Sequence, residues 1–220
     1  MERLKERHEL AIHSPPADFL QAIAPYGVTT HHRRGASIYY AGDPAEYWYL
    51  VASGIAARCA CLSDGRRQIV ELLLPGDFFG FCACDAHHFA VEAVTDETTI
   101  TRYARRSVEA LAESNPKLAT HIRQLAFEAI RRLDDRVVTV GRMNAVEKVG
   151  AFLIEMAERA PHDTGDRISL PLSRYDIADY LGLSMETVSR SIGELRRKEA
   201  ISLFGPHRVK VLNRRVLQTE

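Results

Sequence analysis

The chain has 220 residues, enough for two small domains with a buried core, and its 46% hydrophobic and 26% charged composition is globular rather than disordered or fibrous. Its 29 basic residues balance 29 acidic ones, so net charge alone gives no sign of a polyanion partner. No apolar run approaches the roughly 20 residues of a membrane span, and the N-terminus, Met1-Glu-Arg-Leu-Lys-Glu-Arg-His8, lacks the apolar core of a signal peptide; a cytoplasmic protein with no membrane partner is expected.

Residues 1–30 are weakly patterned, with a helical turn or two over Ala17–Ile23 that stops near Pro25-Tyr-Gly27. From 31 to 105, glycines at 35, 42, 54, 65, 76 and 80 punctuate short runs rich in β-branched and aromatic residues, such as Tyr47-Trp-Tyr-Leu-Val51 and Thr98-Thr-Ile-Thr-Arg-Tyr103. Turn signals fall at Ala41-Gly-Asp-Pro44, Ser63-Asp-Gly65 and Leu74-Pro-Gly-Asp77. Short strands with this punctuation predict an antiparallel sandwich or barrel.

At Ser107 the spacing becomes helical. A short helix should stop before Asn115-Pro116, and a long one should run from Pro116 to Gly141, proline being tolerated in a first turn and glycine ending helices. Leu118, Ile122, Leu125, Ala129, Arg132 and Arg136 follow heptad spacing, and Ile130, Leu133, Val137 and Val140 form an adjacent apolar stripe. Two apolar faces exceed what one small sheet covers, so the 118–136 seam is expected to be a homodimer interface; packing of the whole helix on its own sheet is the simpler alternative.

Residues 144–220 have the pattern of a second domain: a helix over Ala145–Arg159, a loop at 161–166, a short strand at Ile168-Ser-Leu170, two helices, and a hairpin turning at Gly205-Pro206. This end is basic, with Arg190, Arg196, Arg197, Lys198, Arg208, Lys210, Arg214 and Arg215 opposed by four glutamates after residue 185. In the helix pair, Ser173 can cap a helix with apolar face Ile177, Ala178 and Leu181, and Gly182 supplies a left-handed turn. Ser184 caps a second helix that buries Val188, Ile192 and Leu195. Its outer face fits a major groove of double-stranded DNA. Arg190 can donate twice to guanine, Glu186 can accept from cytosine, and Ser189 is short enough to approach a base edge. Ser173, Arg174, Ser184, Met185, Thr187 and Arg197 are placed for the DNA backbone. A solvated helical hairpin is the bland alternative, but cap, glycine turn, buried stripe and basic wing all agree against it.

Four cysteines form two C-x-C pairs, Cys59/Cys61 and Cys82/Cys84. On strands, each pair would face one side, and four thiolates could hold zinc or an iron–sulfur cluster or act as redox thiols. Metal sites more often use C-x2-C, so small buried hydrophobes are the simpler reading, and no cofactor is expected. His87 and His88 are candidate haem or metal ligands, with a surface loop the simpler assignment. No nucleophile–base pair or phosphate-binding glycine loop is present, which argues against an enzyme.

The stretch Asp176-Ile-Ala-Asp-Tyr-Leu-Gly-Leu-Ser-Met-Glu-Thr-Val-Ser-Arg190 strongly resembles the recognition region of the CRP/FNR superfamily, and the Glu-x-x-Ser-Arg pattern resembles its FNR and FixK branch. Gly54, Asp64-Gly65 and Pro75-Gly-Asp-Phe-Phe-Gly80 are similar to that family's sensor domain. The resemblance implies an α+β chain with an N-terminal β-roll (a cyclic-nucleotide-binding-like jelly roll) over 1–106, a dimerisation helix region over 107–142 and a winged helix-turn-helix over 143–220. It also implies a homodimer, a target like TTGAT-N4-ATCAA, and RNA polymerase as partner. The family's cyclic-nucleotide binders carry Gly-Glu and then Arg-Ser/Thr, where this chain has Gly80-Phe81 and His87-His88. Its oxygen sensors carry an N-terminal cysteine cluster, which residues 1–30 lack. FixK-like proteins, often active without a small effector, are the nearest resemblance; where some carry a reactive cysteine, this chain has Ser173. An effector-gated β-roll that binds haem, metal or another ligand is the alternative.

Overall fold

The computed structural model describes residues 14–159, 162–163, 167–205 and 207–217. The first 13 residues, most of the expected 161–166 loop and Pro206 of the hairpin turn lie outside them. Helix α1 (Ala17–Ile23) and a 3-10 turn (Ala24–Tyr26) lead into β1 (Gly27–His32), β2 (Ser37–Tyr39), β3 (Tyr47–Ser53), β4 (Ala56–Cys61), β5 (Arg67–Leu73), β6 (Phe78–Phe79), β7 (Ala90–Ala93) and β8 (Thr98–Ala104). Helices α2 (Arg105–Ser114), α3 (Pro116–Arg142) and α4 (Ala145–Arg159) follow. Then come β9 (His162–Asp163), β10 (Arg167–Ser169), α5 (Arg174–Leu181), α6 (Met185–Arg197), β11 (Ile201–Leu203), β12 (Arg208–Val211) and α7 (Arg214–Leu217).

These elements sort into two compact units. One takes the described residues up to Ala56 with Leu73–Asp134; the other takes Ala57–Leu72 with the described residues from Asp135 on. The expected division at 106 and 142 does not coincide with them, because α3 runs unbroken through residue 134 and the β4–β5 hairpin groups with the C-terminal elements.

In the first unit an antiparallel sheet has the order β1-β8-β3-β6, and β2 pairs with β7. The predicted glycine-punctuated strands are all present. Gly54 links β3 to β4 at φ +76, and a Cβ there would lie 2.7 Å from the Thr98 Cα, so both its backbone angle and its close approach exclude a side chain. The Pro75–Gly80 motif is a working turn: Gly76 N donates to Val51 O, Val51 N to Asp77 O, and Leu74 N to Asp77 Oδ2 at 2.7 Å. One core joins Tyr39, Tyr49, Val51, Phe79, Val91 and Ile100 between the strands. A second joins Phe19, Ile23, Trp48, Phe78, Tyr103 and Val108 to Leu118 and Leu125 of α3, with Ile122 packed against it.

That second core corrects the expected dimer stripe. Leu118 is 2% exposed and Leu125 5%, so both already have their apolar partners within the chain. Ala129 is half-buried on the same side. Arg132 sits 3.8 Å from buried Asp77, and the Arg136 guanidinium lies 3.5 Å from the centre of the Tyr180 ring. The whole 118–136 row faces inward. What α3 leaves uncovered is the neighbouring face: Ile130 is 52% exposed and Val137 71%, with Phe127, Val138 and Val140 also open. Heptad spacing marks a helix face but not what covers it, and the leucine-rich face took the intramolecular core.

In the second unit β9–β12 form a small sheet of order β11-β12-β10-β9 beside α4, α5 and α6. The helix predicted over Ala145–Arg159 has those bounds, and Val149, Phe152, Leu153 and Met156 are buried along it. Asn144 starts it: its side chain accepts from the amides of Val146 and Glu147, while Glu147 accepts from the Asn144 amide. Among the described residues no helix is long and apolar enough to cross a membrane.

Candidate nucleic-acid interface

Ser173 closes a capping box at the start of α5. Its hydroxyl accepts from the Asp176 amide at 3.1 Å and donates to Asp176 Oδ2 at 2.7 Å, while that carboxylate accepts from the Ser173 amide at 3.0 Å. Ile177, Ala178 and Leu181 are buried as predicted, and Gly182 adopts the left-handed conformation, φ 62 and ψ 43, that ends the helix and turns the chain. The Leu183 amide then reaches back to Ala178 O.

Ser184 caps α6 through the Thr187 amide at 3.1 Å. Val188, Ile192 and Leu195 are buried. Glu186, Ser189 and Arg190 are exposed together on the opposite face, one helical turn apart, with Arg196 and Arg197 beyond them. This is the three-residue face expected from the sequence. The Ser184 and Thr187 hydroxyls lie 3.0 Å apart, and Arg190 Nη2 donates to Thr187 Oγ1 at 3.2 Å. Thr187 thus both belongs to the cap and aims the guanidinium. Glu186 titrates below the usual carboxylate range, first because it accepts from its own backbone amide at the helix N-terminus and then because Ser184 bonds it. It therefore presents an ionised acceptor at neutral pH. Arg174 and Met185 are half-buried and Ser173 partly so; burial lowers the pKa of Arg174. Ser173 already spends its hydroxyl on the capping box.

The wing is antiparallel, with Ile201 opposite Val211 and Leu203 opposite Val209. Arg167 stacks its guanidinium over Phe204 at 4.0 Å, and Arg208 is exposed beside it. An exposed recognition face next to a basic wing can follow a phosphate backbone while reading base edges.

Two side chains that the sequence did not single out grip this motif from behind. Arg67 Nη1 on β5 reaches Asp176 Oδ1 at 3.3 Å and Asp179 Oδ2 at 3.1 Å. Gln68 Nε2 donates to Asp179 O at 2.6 Å, with Tyr180 O at 3.4 Å. They lie over 100 residues before α5 in the sequence, and no local pattern announces such a contact.

Of the candidate sensor residues, Phe81, Cys82, Cys84, His87 and His88 sit in the first unit, and Cys59 and Cys61 in the second. Phe81 packs its ring 5.5 Å from Trp48 and 5.7 Å from Phe78. His87, expected in a surface loop, is instead 5% exposed and stacked 3.8 Å from Tyr39, its backbone tied to Asp43 O and the Gly42 amide. Burial lowers its pKa. His88 is exposed. The four cysteines are free thiols: Cys59 is buried, Cys61 and Cys84 exposed, Cys82 half-buried. Among the described residues no three His, Cys, Asp or Glu side chains come together as a metal-holding group.

Residues 147–220 match the Crp-like helix-turn-helix domain family and residues 29–115 the cyclic nucleotide-binding domain family. Over 203 residues the chain is 37% identical to the nitrogen fixation regulation protein FixK of Azorhizobium caulinodans, covering 90% of this chain and 81% of that protein. It is 38% identical over 188 residues to FixK of Rhizobium meliloti, covering 86% and 84%. The solved structure of FixK2 from Bradyrhizobium japonicum superposes with a TM-score of 0.80 at 36% identity, covering 87% of this chain and 95% of that one. Despite the second domain match, the residues present do not fit a cyclic phosphate: Phe81 is committed to the core and His87 to an aromatic stack, and neither position 87 nor 88 offers a guanidinium.

Proposed function

The chain belongs to the FixK branch of the CRP/FNR family of DNA-binding transcription regulators, and from that premise we propose that it is a cytoplasmic activator that binds a palindrome like TTGAT-N4-ATCAA as a homodimer, contacts RNA polymerase, and needs no small effector. The observation that carries this is the exposed Glu186–Ser189–Arg190 face of α6, with Arg190 aimed by Thr187 and the opposite stripe buried. Arg190 would read a guanine and Glu186 a cytosine, while Arg197 and the wing arginines neutralise phosphates. The open Ile130, Val137 and Val140, with half-buried Leu133 among them at 3-4-3 spacing on α3, are the natural seam for a second copy, since paired recognition helices suit a two-fold site. Independence of a cyclic nucleotide is supported by the residues present: Phe81 packs on Trp48 and Phe78, His87 stacks on Tyr39, and neither offers a cyclic phosphate a guanidinium.

Gel shift with metal-free protein on a TTGAT-N4-ATCAA duplex tests this. Tight, sequence-selective binding without additive is expected; binding that appears only with added haem, metal or nucleotide overturns the effector-free part. A second reading, a β-roll gated by haem, metal or another ligand, draws on one observation: the buried His87 Nε2 has no hydrogen-bond partner among the described residues. The same assay, repeated with His87→Phe, separates the two.

A further inference from the structure

We propose that Arg67 and Gln68 are positioning residues for DNA reading: the β4–β5 hairpin latches the scaffold helix α5 and so fixes the direction in which α6 points. This rests on the proposed reading of a two-fold DNA target.

The helix-turn-helix has two helices, and only α6 carries the outer face. Its orientation is set by what holds α5. From one side, Arg67 bridges Asp176 and Asp179, successive carboxylates on one face of α5. The first is the capping-box residue, 4% exposed, so the guanidinium ties the hairpin to the start of the helix. Gln68 ties it to the other end, donating to carbonyls of the last turn just before the Gly182 reversal. From another side, Arg136 of α3 stacks on the Tyr180 ring, and the Tyr180 hydroxyl donates to Glu155 Oε2 of α4 at 2.8 Å. Arg159, paired to the same Glu155, donates in turn to Leu72 O at the end of β5. Hairpin, α4, the end of α3 and α5 are thereby joined by directional bonds within one compact unit. Charge-assisted hydrogen bonds fix angles as well as distances, which apolar packing alone does less well.

The clasp leaves the reading face free, since Ser189 and Arg190 stay exposed with the latch made. It therefore acts as a brace compatible with DNA binding, and not as a cover. Arg136 also lies next to Val137 of the open α3 face, so the brace runs from α5 to the segment that would meet a second copy. A dimer with braced reading heads presents two recognition helices at one separation and one angle. Each added base pair moves a half-site by about 3.4 Å and rotates it by roughly 35°, so a stiff reader should discriminate sharply among spacer lengths.

The test is binding of the full chain to duplexes with spacers N3, N4, N5 and N6 between the same half-sites. Wild type should prefer N4. Arg67→Ala and Gln68→Ala should lower affinity for N4 by roughly tenfold and flatten the preference among spacers, while Arg67→Lys should keep part of it. Spacer tolerance is a readout that a merely destabilised but correctly oriented head would not move. Gln68→Ala removes one amide and leaves the ion pairs, so it serves if Arg67→Ala fails to fold. A folded Gln68→Ala with the wild-type spacer profile overturns the proposal. If wild type itself shows no N4 preference, the target reading fails instead, and the same variants are compared on spacer sets built around the palindrome recovered by selection from random duplexes.

Discussion

Truncating the open face of α3 separates the two faces of that helix. Full burial of an isoleucine or valine contributes roughly 1.5–3 kcal/mol. Ile130 leaves 52% of its surface open and Val137 71%, so covering them in a dimer recovers about 1 kcal/mol each per protomer. In a two-fold interface each change counts twice, so Ile130→Ala with Val137→Ala should cost about 4 kcal/mol, raising the dimer dissociation constant roughly a thousandfold. Sedimentation equilibrium over a concentration series reads this directly, with thermal melting as a fold control, because residues already exposed contribute little to the protomer. The converse substitution, Leu125→Glu, buries a charge among Phe19, Phe78 and Val108 and should abolish the folded state. A double alanine variant that dimerises like wild type, or a Leu125→Glu protein that folds normally and is merely monomeric, would refute the assignment of faces.

Arg190→Ala should lose about 1–3 kcal/mol on the palindrome and relax preference at one guanine in a base-substitution series; equal loss on random DNA would rule out base reading. Ser173→Ala should destabilise the C-terminal unit by about 1 kcal/mol through the lost cap. Because that hydroxyl is occupied by Asp176, the slope of log affinity against log salt should not change, and a drop of about one unit would instead reveal a phosphate contact. Burial depresses His87 below its ordinary 6.5, so the unfolded chain binds the extra proton first. Stability is then fully present above pH 6.5 and declines as pH falls toward and through the lowered value. His32, shifted the same way by burial, adds to this. Urea melts between pH 7.5 and 5 should show His87→Phe losing part of that slope; an unchanged slope would contradict the burial argument.

Much of the reading head was legible in the sequence because its rules are local. A serine cap, a left-handed glycine and a 3-4 apolar stripe act over a few residues, and Ser173, Gly182, Val188, Ile192 and Leu195 do in the fold what their spacing predicts. The exposed triad Glu186, Ser189 and Arg190 follows by subtraction from that stripe. The glycine-punctuated strands were legible for the same reason, since turn geometry admits few residues. Tertiary structure decided the rest. Both apolar faces of α3 are visible as periodicity, but only the position of Trp48, Phe78 and Phe19 decides that the Leu118–Leu125 face is core and the Ile130–Val137 face is open. His87, polar and flanked by loop residues, goes inside because Tyr39 offers a flat apolar surface. Arg67 and Gln68 find Asp176, Asp179 and the end of α5 across more than 100 residues, and such a contact depends on how the chain returns on itself, which sequence spacing does not encode.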